Sequence, residues 1–270
     1  MTIVELTKHH GLGNDFLVVD SDLLPDDLDR GALARRLCDR HRGLGADGLM
    51  IIHDHEGCAA RMELLNADGS PAAMSGNGIR CFAQALLMRG IAEGDSVDVL
   101  RIMTAAGERA VEIHQTDDAA TIEATVSMGA VVDIDPPAAW AGLGVDPGRP
   151  VAHLSLGNPH TVVGVSEIDA VDLVGLGAQL SEVNLEIVEP SADPSTILMR
   201  VHERGVGITE ACGTGACAAA FAARRWGLIP DSVDEVIVEM PGGSVTVRVN
   251  ETQVVLRGPA THIARIEVAL

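Results

Sequence analysis

Two stretches of this chain, SGNGIRCFAQALLM at residues 75–88 and CGTGACAAAFAARR at residues 212–225, share one pattern. In each, a side chain with a hydroxyl or thiol group precedes Gly-x-Gly, and a run of small and apolar residues follows. Such an order is typical of a helix that begins at the glycine. The repeated pattern predicts two similar halves, each built around a helix with a chemically active residue at its start. The alternative is that two glycine-rich helix starts coincide by chance.

The sequence around these helices alternates between apolar and polar residues, which predicts β-strands. In the first half we expect strands near 2–9, 15–20, 48–53, 60–66, 97–103, 107–114 and 120–127, and helices near 31–41 and 77–90. In the second half we expect strands near 151–156, 160–165, 184–189, 196–203, 233–240, 243–249, 253–257 and 261–268, and helices near 172–181 and 213–226. We place the change of domain near residue 122 and interpret 135–150 as an elaborated loop.

The composition limits the kinds of partner. A formal net charge of -20 and a pI near 4.7 argue against nucleic acid, because a phosphate backbone would be repelled. A small anionic substrate is still allowed, since arginine side chains and backbone N–H groups can hold it locally. Aromatic residues make up only 2% of the chain, so aliphatic side chains must form most of the core.

The cysteine and lysine content bears on location and cofactor. The first residues carry no signal-like segment and no run of about 18 apolar residues occurs, so we expect a cytoplasmic protein without membrane association. Five cysteines are consistent with reduced thiols. Lys8 is the single lysine, and its short alternating context makes a pyridoxal phosphate Schiff base an unattractive interpretation.

The two helix starts suggest a chemistry. The N-terminus of a helix offers unpaired N–H groups and a partial positive charge, which suit a carboxylate. The same field is expected to lower the pKa of Cys212 and so favour its thiolate. Two acid/base groups on opposite faces of a carbon can invert it, while the N–H groups stabilise the charge that develops on the carboxylate. This chemistry requires neither a metal nor an organic cofactor.

Two other patterns suggest functions that we reject. Gly43, Gly45 and Gly48 form G-x-G-x-x-G, but a helix precedes them and a strand follows, which reverses the order of a dinucleotide site. The segment 53–58, HDHEGC, is interpreted as a solvated hairpin turn rather than as a metal site.

Along nearly its whole length, the sequence resembles the diaminopimelate epimerase family. The segments that carry the resemblance occur in order: HGLGNDF (10–16), RGLGADG (42–48), NADGSPAAMSGNGIRC (66–81), LGNPH (156–160), VNLEIVE (183–189), ERGVGITEACGTGACAA (203–219) and LRGPATHI (256–263).

The resemblance implies an α+β fold of two similar domains, each a mostly antiparallel β-sheet barrel wrapped around a central helix. It places the active site in the cleft between the domains. It also implies that the last strand returns to the first domain. We therefore expect domains of 1–122 plus 258–270 and of 123–257.

The resemblance also implies roles for individual residues. Cys212 would be one catalytic base, with Glu203 and His160 assisting proton transfer. The reacting carboxylate would lie against Gly76, Asn77, Gly213 and Thr214. The distal amino and carboxylate groups of the substrate would be held by Asn14, Asn66, Asn158, Asn184 and Arg204. Arg80 is interpreted as a helix-surface or interdomain ion-pair residue and is left out of the site.

Ser75 departs from the family, because it occupies the position of the second catalytic cysteine. A serine hydroxyl is a far weaker acid than a thiol and is barely ionised near neutral pH. Three interpretations remain open: an engineered substitution, a natural variant that turns over slowly, and a natural variant with altered chemistry such as one-base elimination.

The expected function is epimerisation of LL-2,6-diaminopimelate to the meso form, by a homodimer that uses no cofactor. Two alternatives remain. The first is a catalytically silent protein that binds diaminopimelate. The second is a one-base isomerase or dehydratase of the same fold acting on a proline derivative, although a proline ring has no distal charge for five polar residues to satisfy.

Overall fold

A computed structural model describes residues 3–90, 99–251 and 253–270. The predicted strand positions at residues 2, 97 and 98 therefore lie outside the described residues. The chain divides into two compact units, one formed by Met1–Val126 with Gly258–Leu270 and the other by Ser127–Arg257.

The described part of the first unit consists of two α-helices, a 3-10 helix, strands and loops. Its strands are β1 (Ile3–Gly11), β2 (Asn14–Asp20), β3 (Gly48–His53), β4 (Ala60–Asn66), β5 (Pro71–Ala72), β6 (Val99–Thr104), β7 (Gly107–Gln115) and most of β8 (Thr121–Ala130). Its helices are α1 (Arg30–Cys38) and α2 (Gly76–Met88), with a short 3-10 helix at Ser21–Leu23.

The second unit has the same kinds of element in the same order. Its strands are β9 (Val132–Asp133), β10 (Val151–Ser155), β11 (Pro159–Gly164), β12 (Asn184–Pro190), β13 (Thr196–Glu203), β14 (Gly207–Thr209), β15 (Glu235–Met240), β16 (Gly243–Asn250) and the first part of β17 (Gln253–Ala269). Its helices are α3 (Leu173–Gln179) and α4 (Gly213–Arg225), with 3-10 helices at Trp140–Leu143 and Ile168–Ala170.

Strand pairing follows one scheme in both units. In the first, β1–β2, β3–β4, β4–β5, β6–β7 and β7–β8 are antiparallel, whereas β2–β3 and β4–β6 are parallel. In the second, β10–β11, β12–β13, β13–β14, β15–β16 and β16–β17 are antiparallel, whereas β11–β12 and β13–β15 are parallel. The matched order of seven pairings shows that the fold is an internal duplication.

Helices α2 and α4 are the central elements of their units. All residues from Gly76 to Leu86 in α2 and from Gly213 to Ala223 in α4 are buried. Helix α4 contacts β10, β11, β12, β13, β15 and β16, so strands surround it. A helix buried on every side needs small or apolar residues all round, which both sequences provide. The predicted α+β fold, with mostly antiparallel sheets wrapped around a central helix, is confirmed.

A second hydrophobic layer covers the outside of each sheet. In the first unit, Leu33 and Leu37 of α1 pack against Leu49 and Ile51 of β3. In the second, Leu173 of α3 belongs to a cluster with strand residues of β11 and β12, and Trp140 and Leu143 pack against that cluster. The segment 135–150 is thus a loop with a short 3-10 helix that contributes to a core.

The structure differs from the sequence-based boundaries at two strands. The predicted strands 253–257 and 261–268 form the single strand β17, and its residues Thr261–Ala269 pair with β1. Pro259, which lacks an N–H group, lies between the segment of β17 that pairs with β16 and the segment that pairs with β1. The first unit ends at Val126, close to the expected residue 122, and β8 runs without a loop through both positions.

Within the described residues, no helix combines the length and the apolar character that crossing a membrane requires.

Candidate active site

The two helix starts have the same local geometry. Ser75 is the N-cap of α2, with backbone angles φ -138° and ψ 125°, and its Oγ accepts a hydrogen bond from the N–H of Gly78 at 3.0 Å. Cys212 is the N-cap of α4, with φ -130° and ψ 113°, and its Sγ accepts from the N–H of Gly215 at 3.4 Å. Hydroxyl and sulfur therefore occupy equivalent positions at the starts of two helices of 13 residues each.

Cys212 lies in a group of buried and half-buried polar side chains that we call the cysteine cluster: Asn158, His160, Glu186, Glu203, Cys212 and Thr214. Its side chain is 5% exposed. Sγ lies 3.5 Å from Thr214 Oγ1 and also contacts the Glu203 carboxylate. The sulfur is thus within reach of a hydroxyl donor and of a carboxylate that can accept its proton.

The pKa of Cys212 is raised well above its ordinary value. Burial is the largest cause, and the negative charges of Glu203 and Glu186 add to it. Hydrogen bonds from Thr214 and from the N–H of Gly215 act in the opposite direction without balancing these effects. The expectation of a lowered pKa was wrong, because it considered the helix N-terminus alone, and neither the burial of the thiol nor the carboxylates contributed by β12 and β13. The raised pKa favours the thiol over the thiolate in the free protein.

Glu203 is held beside this thiol at the end of β13. Thr209 Oγ1 donates to its Oε1 at 2.5 Å, across the β13–β14 pair. Burial raises the pKa of Glu203, and the nearby charge of Glu186 raises it further. A carboxyl group with a raised pKa exchanges protons closer to neutral pH than an ordinary glutamate does.

His160 and Asn158 continue the cluster away from Glu203. His160 is fully buried, with Nδ1 2.7 Å from Glu186 Oε1 and Nε2 3.1 Å from Asn158 Oδ1. Asn158 Nδ2 donates to Thr214 Oγ1 at 3.2 Å. Sequence analysis assigned no role to Glu186. The signal for it was a charged residue within the otherwise apolar segment LEIV of a buried strand.

Gly215 allows this packing. A Cβ atom at this position would lie 2.6 Å from Glu186 Oε1 and 3.2 Å from Cys212 Sγ. At 2.6 Å the carboxylate would have to move away from the added Cβ atom, and at 3.2 Å the sulfur would be in tight contact with it. The second glycine of the Cys-Gly-Thr-Gly pattern therefore admits a carboxylate against the first turn of α4.

Asn184 and Arg204 lie next to the cysteine cluster. Asn184 pairs with His160 across the parallel β11–β12 pair. Its side chain accepts from the backbone N–H of Arg204 at 2.9 Å and donates to the Pro159 carbonyl at 3.2 Å. The side chain of Arg204 is exposed. The structure thus brings together in one unit eight predicted site residues: Asn158, His160, Asn184, Glu203, Arg204, Cys212, Gly213 and Thr214.

The first unit holds the other predicted residues around the start of α2. Asn77 Nδ2 donates to Asn14 Oδ1 at 3.3 Å, and Asn14 Nδ2 donates to Asp47 Oδ2 at 2.7 Å. Asn66, which is exposed, donates to Ser70, and its neighbour Ala67 donates its N–H to the Asp47 carbonyl. Asp47 therefore ties the loops that carry Asn14 and Asn66 to one another.

Arg80 is fully buried, so its interpretation as a helix-surface residue was wrong. Its guanidinium donates to the Gly76 carbonyl at 3.0 Å, to Asn77 Oδ1 at 3.0 Å and to the Pro259 carbonyl at 3.1 Å. A planar guanidinium can bind several oxygens in fixed directions. Arg80 thus bonds Gly76 and Asn77, two of the four residues that sequence analysis assigned to the carboxylate.

The side chains behind the interpretations that sequence analysis rejected are bonded to other residues. Lys8 Nζ contacts the Asp15 carboxylate at 2.9 Å and donates to the Gly45 carbonyl at 2.7 Å. His53 Nε2 lies 2.7 Å from Glu63, and Cys58 Sγ lies 3.7 Å from Glu108. Among the described residues, no group of three or more His, Cys, Asp or Glu side chains has the arrangement of a metal site.

Comparison with known proteins places this geometry in a family. The family model for diaminopimelate epimerase matches residues 6–134 and 153–263. The chain belongs to the diaminopimelate epimerase family. A family member from Halothermothrix orenii, named diaminopimelate epimerase, is 36% identical over 96% of both chains. One of the same name from Rhodococcus opacus is 38% identical over 97% of this chain and 96% of its own.

Solved structures show that the fold extends beyond these family members. A phenazine biosynthesis protein of the PhzF family from Bacillus anthracis superposes with a TM-score of 0.77 at 18% identity, over 100% of both chains. A hydroxyproline epimerase from Agrobacterium vitis, with bound trans-4-hydroxy-L-proline, gives a TM-score of 0.73 at 16% identity, over 100% of this chain and 92% of its own. At such identities the likeness concerns the fold alone.

Proposed function

We propose that this protein acts on the α-carbon of 2,6-diaminopimelate and interconverts the LL and meso forms without a cofactor. The observation that carries the proposal is the Cys212 thiol beside Glu203 at the N-terminus of α4, in a chain of this family. In the proposed site, Cys212, Ser75, Glu203 and His160 serve catalysis. The substrate contacts come from Asn14, Asn66, Gly76, Asn77, Asn158, Asn184, Arg204, Gly213 and Thr214.

Proton removal begins with the thiol. Because the pKa of Cys212 is raised, its proton must leave before the sulfur can act as a base. Glu203 contacts the sulfur and is the acceptor we assign. The thiolate then takes the α-proton of the substrate, while backbone N–H groups at the helix starts stabilise the charge on the substrate carboxylate.

Ser75 limits the second half of the reaction. Inversion requires a proton to reach the opposite face of the carbon, and we assign this donation to the Ser75 hydroxyl. Since a hydroxyl is a much weaker acid than a thiol, it donates slowly. Return of a proton from Cys212 to the original face competes with inversion, and a solvent-derived proton returned in this way leaves the configuration unchanged.

We therefore expect exchange of the α-hydrogen to be faster than inversion. In deuterated water, LL-diaminopimelate should gain α-deuterium and keep its configuration in most turnovers. Mass spectrometry of the deuterium content and chiral chromatography of the same samples measure the two rates. Absence of exchange from both the LL and the meso form would contradict the proposal and favour the silent binding protein. Exchange of hydroxyproline in preference to diaminopimelate would favour the proline-derivative alternative.

A second prediction concerns Glu203. Glu203→Gln should lower the exchange rate by at least about 10²-fold, since a positioned proton acceptor contributes about that much. The substitution also removes a negative charge that raises the pKa of Cys212, which by itself would make the thiolate easier to form. A fall in the exchange rate would therefore indicate that Glu203 accepts the proton and does not act through its charge alone. A rise in the exchange rate would contradict the assignment of Glu203 as the proton acceptor.

The pH profile provides the control. Glu203 accepts a proton only when it is ionised, so exchange should fall as the pH drops through its pKa. Because burial raises that pKa, this fall should occur at higher pH than an ordinary glutamate would cause, and it should be absent in Glu203→Gln. Glu210→Gln, an exposed neighbour, should leave the profile unchanged.

A further inference from the structure

We propose that Glu186 is a positioning residue for Cys212, acting through a chain of hydrogen bonds that passes through His160, Asn158 and Thr214. This inference rests on the proposed function, because it concerns the same sulfur. The chain of bonds lies wholly within the second unit, and each of its contacts is at hydrogen-bond distance.

The first link is a buried carboxylate–imidazole pair. Glu186 and His160 are both 0% exposed, and their Oε1 and Nδ1 atoms are 2.7 Å apart. His160 on β11 pairs with Asn184 on β12, two positions before Glu186, so the two side chains are diagonal neighbours on one face of the sheet. A buried charge is retained only when a partner compensates it, and here the partner is the ring of His160.

The second link gives the chain a direction. Both ring nitrogens of His160 face oxygen atoms, Glu186 Oε1 on one side and Asn158 Oδ1 on the other. Nε2 is the ring atom that faces Asn158 Oδ1, and an N–H group there donates to that oxygen. The carbonyl oxygen of Asn158 is then committed to His160, which leaves its amide nitrogen to face Thr214.

The third link reaches the sulfur. Asn158 Nδ2 donates to Thr214 Oγ1 at 3.2 Å, which uses one of the two lone pairs of that oxygen, and the Thr214 proton can point to Cys212 Sγ, 3.5 Å away. From His160 onward, each group in the chain can therefore donate toward the sulfur, while Glu186 accepts from His160. The hydrogen bond from Thr214 lowers the pKa of Cys212 and favours the thiolate, against the effect of burial.

A second contact supports the assignment. The Glu186 carboxylate packs against the first turn of α4, where Gly215 leaves room for it. Its other oxygen, Oε2, is buried and has no hydrogen-bond partner among the described residues. A stable fold alone would favour a fully bonded or an apolar residue here, so a half-bonded carboxylate indicates a functional reason for the charge.

The charged groups that act directly on this sulfur are Glu203 and Glu186, and His160 acts on Glu203. Glu186→Gln has two effects on the thiol. It removes a negative charge, which lowers the pKa of Cys212, and it disrupts the chain of bonds, which raises it. Only the second effect depends on Thr214, so a double-variant cycle with Thr214→Val separates the two.

The experiment measures the pKa of Cys212 through the pH-dependent ¹³Cβ resonance of labelled cysteine, in the full-length protein without substrate. The four proteins are the unsubstituted chain, Glu186→Gln, Thr214→Val and the double variant. We expect Glu186→Gln to shift the pKa of Cys212 by different amounts in the two backgrounds, downward more strongly when Thr214 is already replaced. Equal shifts in both backgrounds would overturn the proposal.

Exchange kinetics test the same chain. Glu186→Gln should lower the α-hydrogen exchange rate at saturating substrate by at least about tenfold, as when an amide replaces a carboxylate that orients a histidine, and should change KM less than about twofold. In the Thr214→Val background the further loss should be small, and equal losses in both backgrounds would contradict the chain. Glu189→Gln is the matched control, because Glu189 lies on the same strand and bonds the backbone N–H of Ile168 at 2.7 Å.

Two further points keep the tests separate from the proposed function. If the unsubstituted protein shows no exchange, the proposed function fails, while the titration of Cys212 still decides whether the chain of bonds exists. If Glu186→Gln does not fold, the same cycle with His160→Gln tests the next link, with the same expected inequality of shifts.

Discussion

Ser75→Cys is expected to raise the rate of inversion of diaminopimelate by at least about 10²-fold, the lower end of what a well-matched acid or base contributes. A thiol donates a proton to a carbanion far more readily than a hydroxyl does. The cap geometry of α4 shows that a cysteine fits at such a helix start, with Sγ 3.4 Å from the N–H three residues later. Measured on the same samples, inversion should approach the rate of α-hydrogen exchange, which should itself change little.

Substrate affinity should change far less than the rate, because the carboxylate contacts assigned at this position come mainly from backbone N–H groups. Ser21→Cys adds a thiol elsewhere in the first unit and should leave both rates unchanged. If the inversion rate of Ser75→Cys equals that of the unsubstituted protein, Ser75 does not occupy the second acid/base position. A slow natural variant and an engineered substitution both predict the rise, whereas altered one-base chemistry predicts products other than the epimer.

Cys212→Ser is expected to abolish exchange and inversion together, with a loss of about 10²- to 10⁴-fold. A hydroxyl at this position would be an even weaker acid than the thiol, so the base would form rarely. The fold should tolerate the change, because Ser75 caps α2 in the same backbone conformation and accepts from its own i+3 N–H at 3.0 Å.

The control is Cys217→Ala, in the same helix. Cys217 is 0% exposed, as is Cys81 in α2, so both are core residues. Cys217→Ala should keep the exchange rate, with circular dichroism confirming that both variants are folded. Exchange that persists in Cys212→Ser would assign proton removal to another group.

The local pattern of the sequence was sufficient for most of the fold. Strands predicted near 48–53, 60–66 and 196–203 are observed at those bounds, since alternation along a strand depends only on which face is buried. The sequence also indicated both helix starts, because the N-cap residue and the two glycines that follow it lie within four consecutive residues. The short strands β5, β9 and β14 were not predicted, since two or three residues give no periodicity.

The sequence indicated part of the candidate active site. The family resemblance, carried by motifs in order, indicated Cys212, Glu203, His160 and Asn158, and the structure brings all four into one cluster. The resemblance gave no reason to choose Glu186 or Arg80. Their importance depends on complete burial and on partners such as Pro259, which is far away along the chain.

By itself, the sequence determined the duplication, the two central helices and the family. It also showed that Ser75 stands at the repeat position that corresponds to Cys212. Each of these features is carried by short motifs of residues that are close neighbours along the chain. Only the tertiary structure decided the direction in which the pKa of Cys212 is shifted and the partners of Glu186. The reason is physical: a pKa depends on burial and on charges within a few ångströms. Strands β12 and β13 bring those charges to the start of α4 only when the chain is folded.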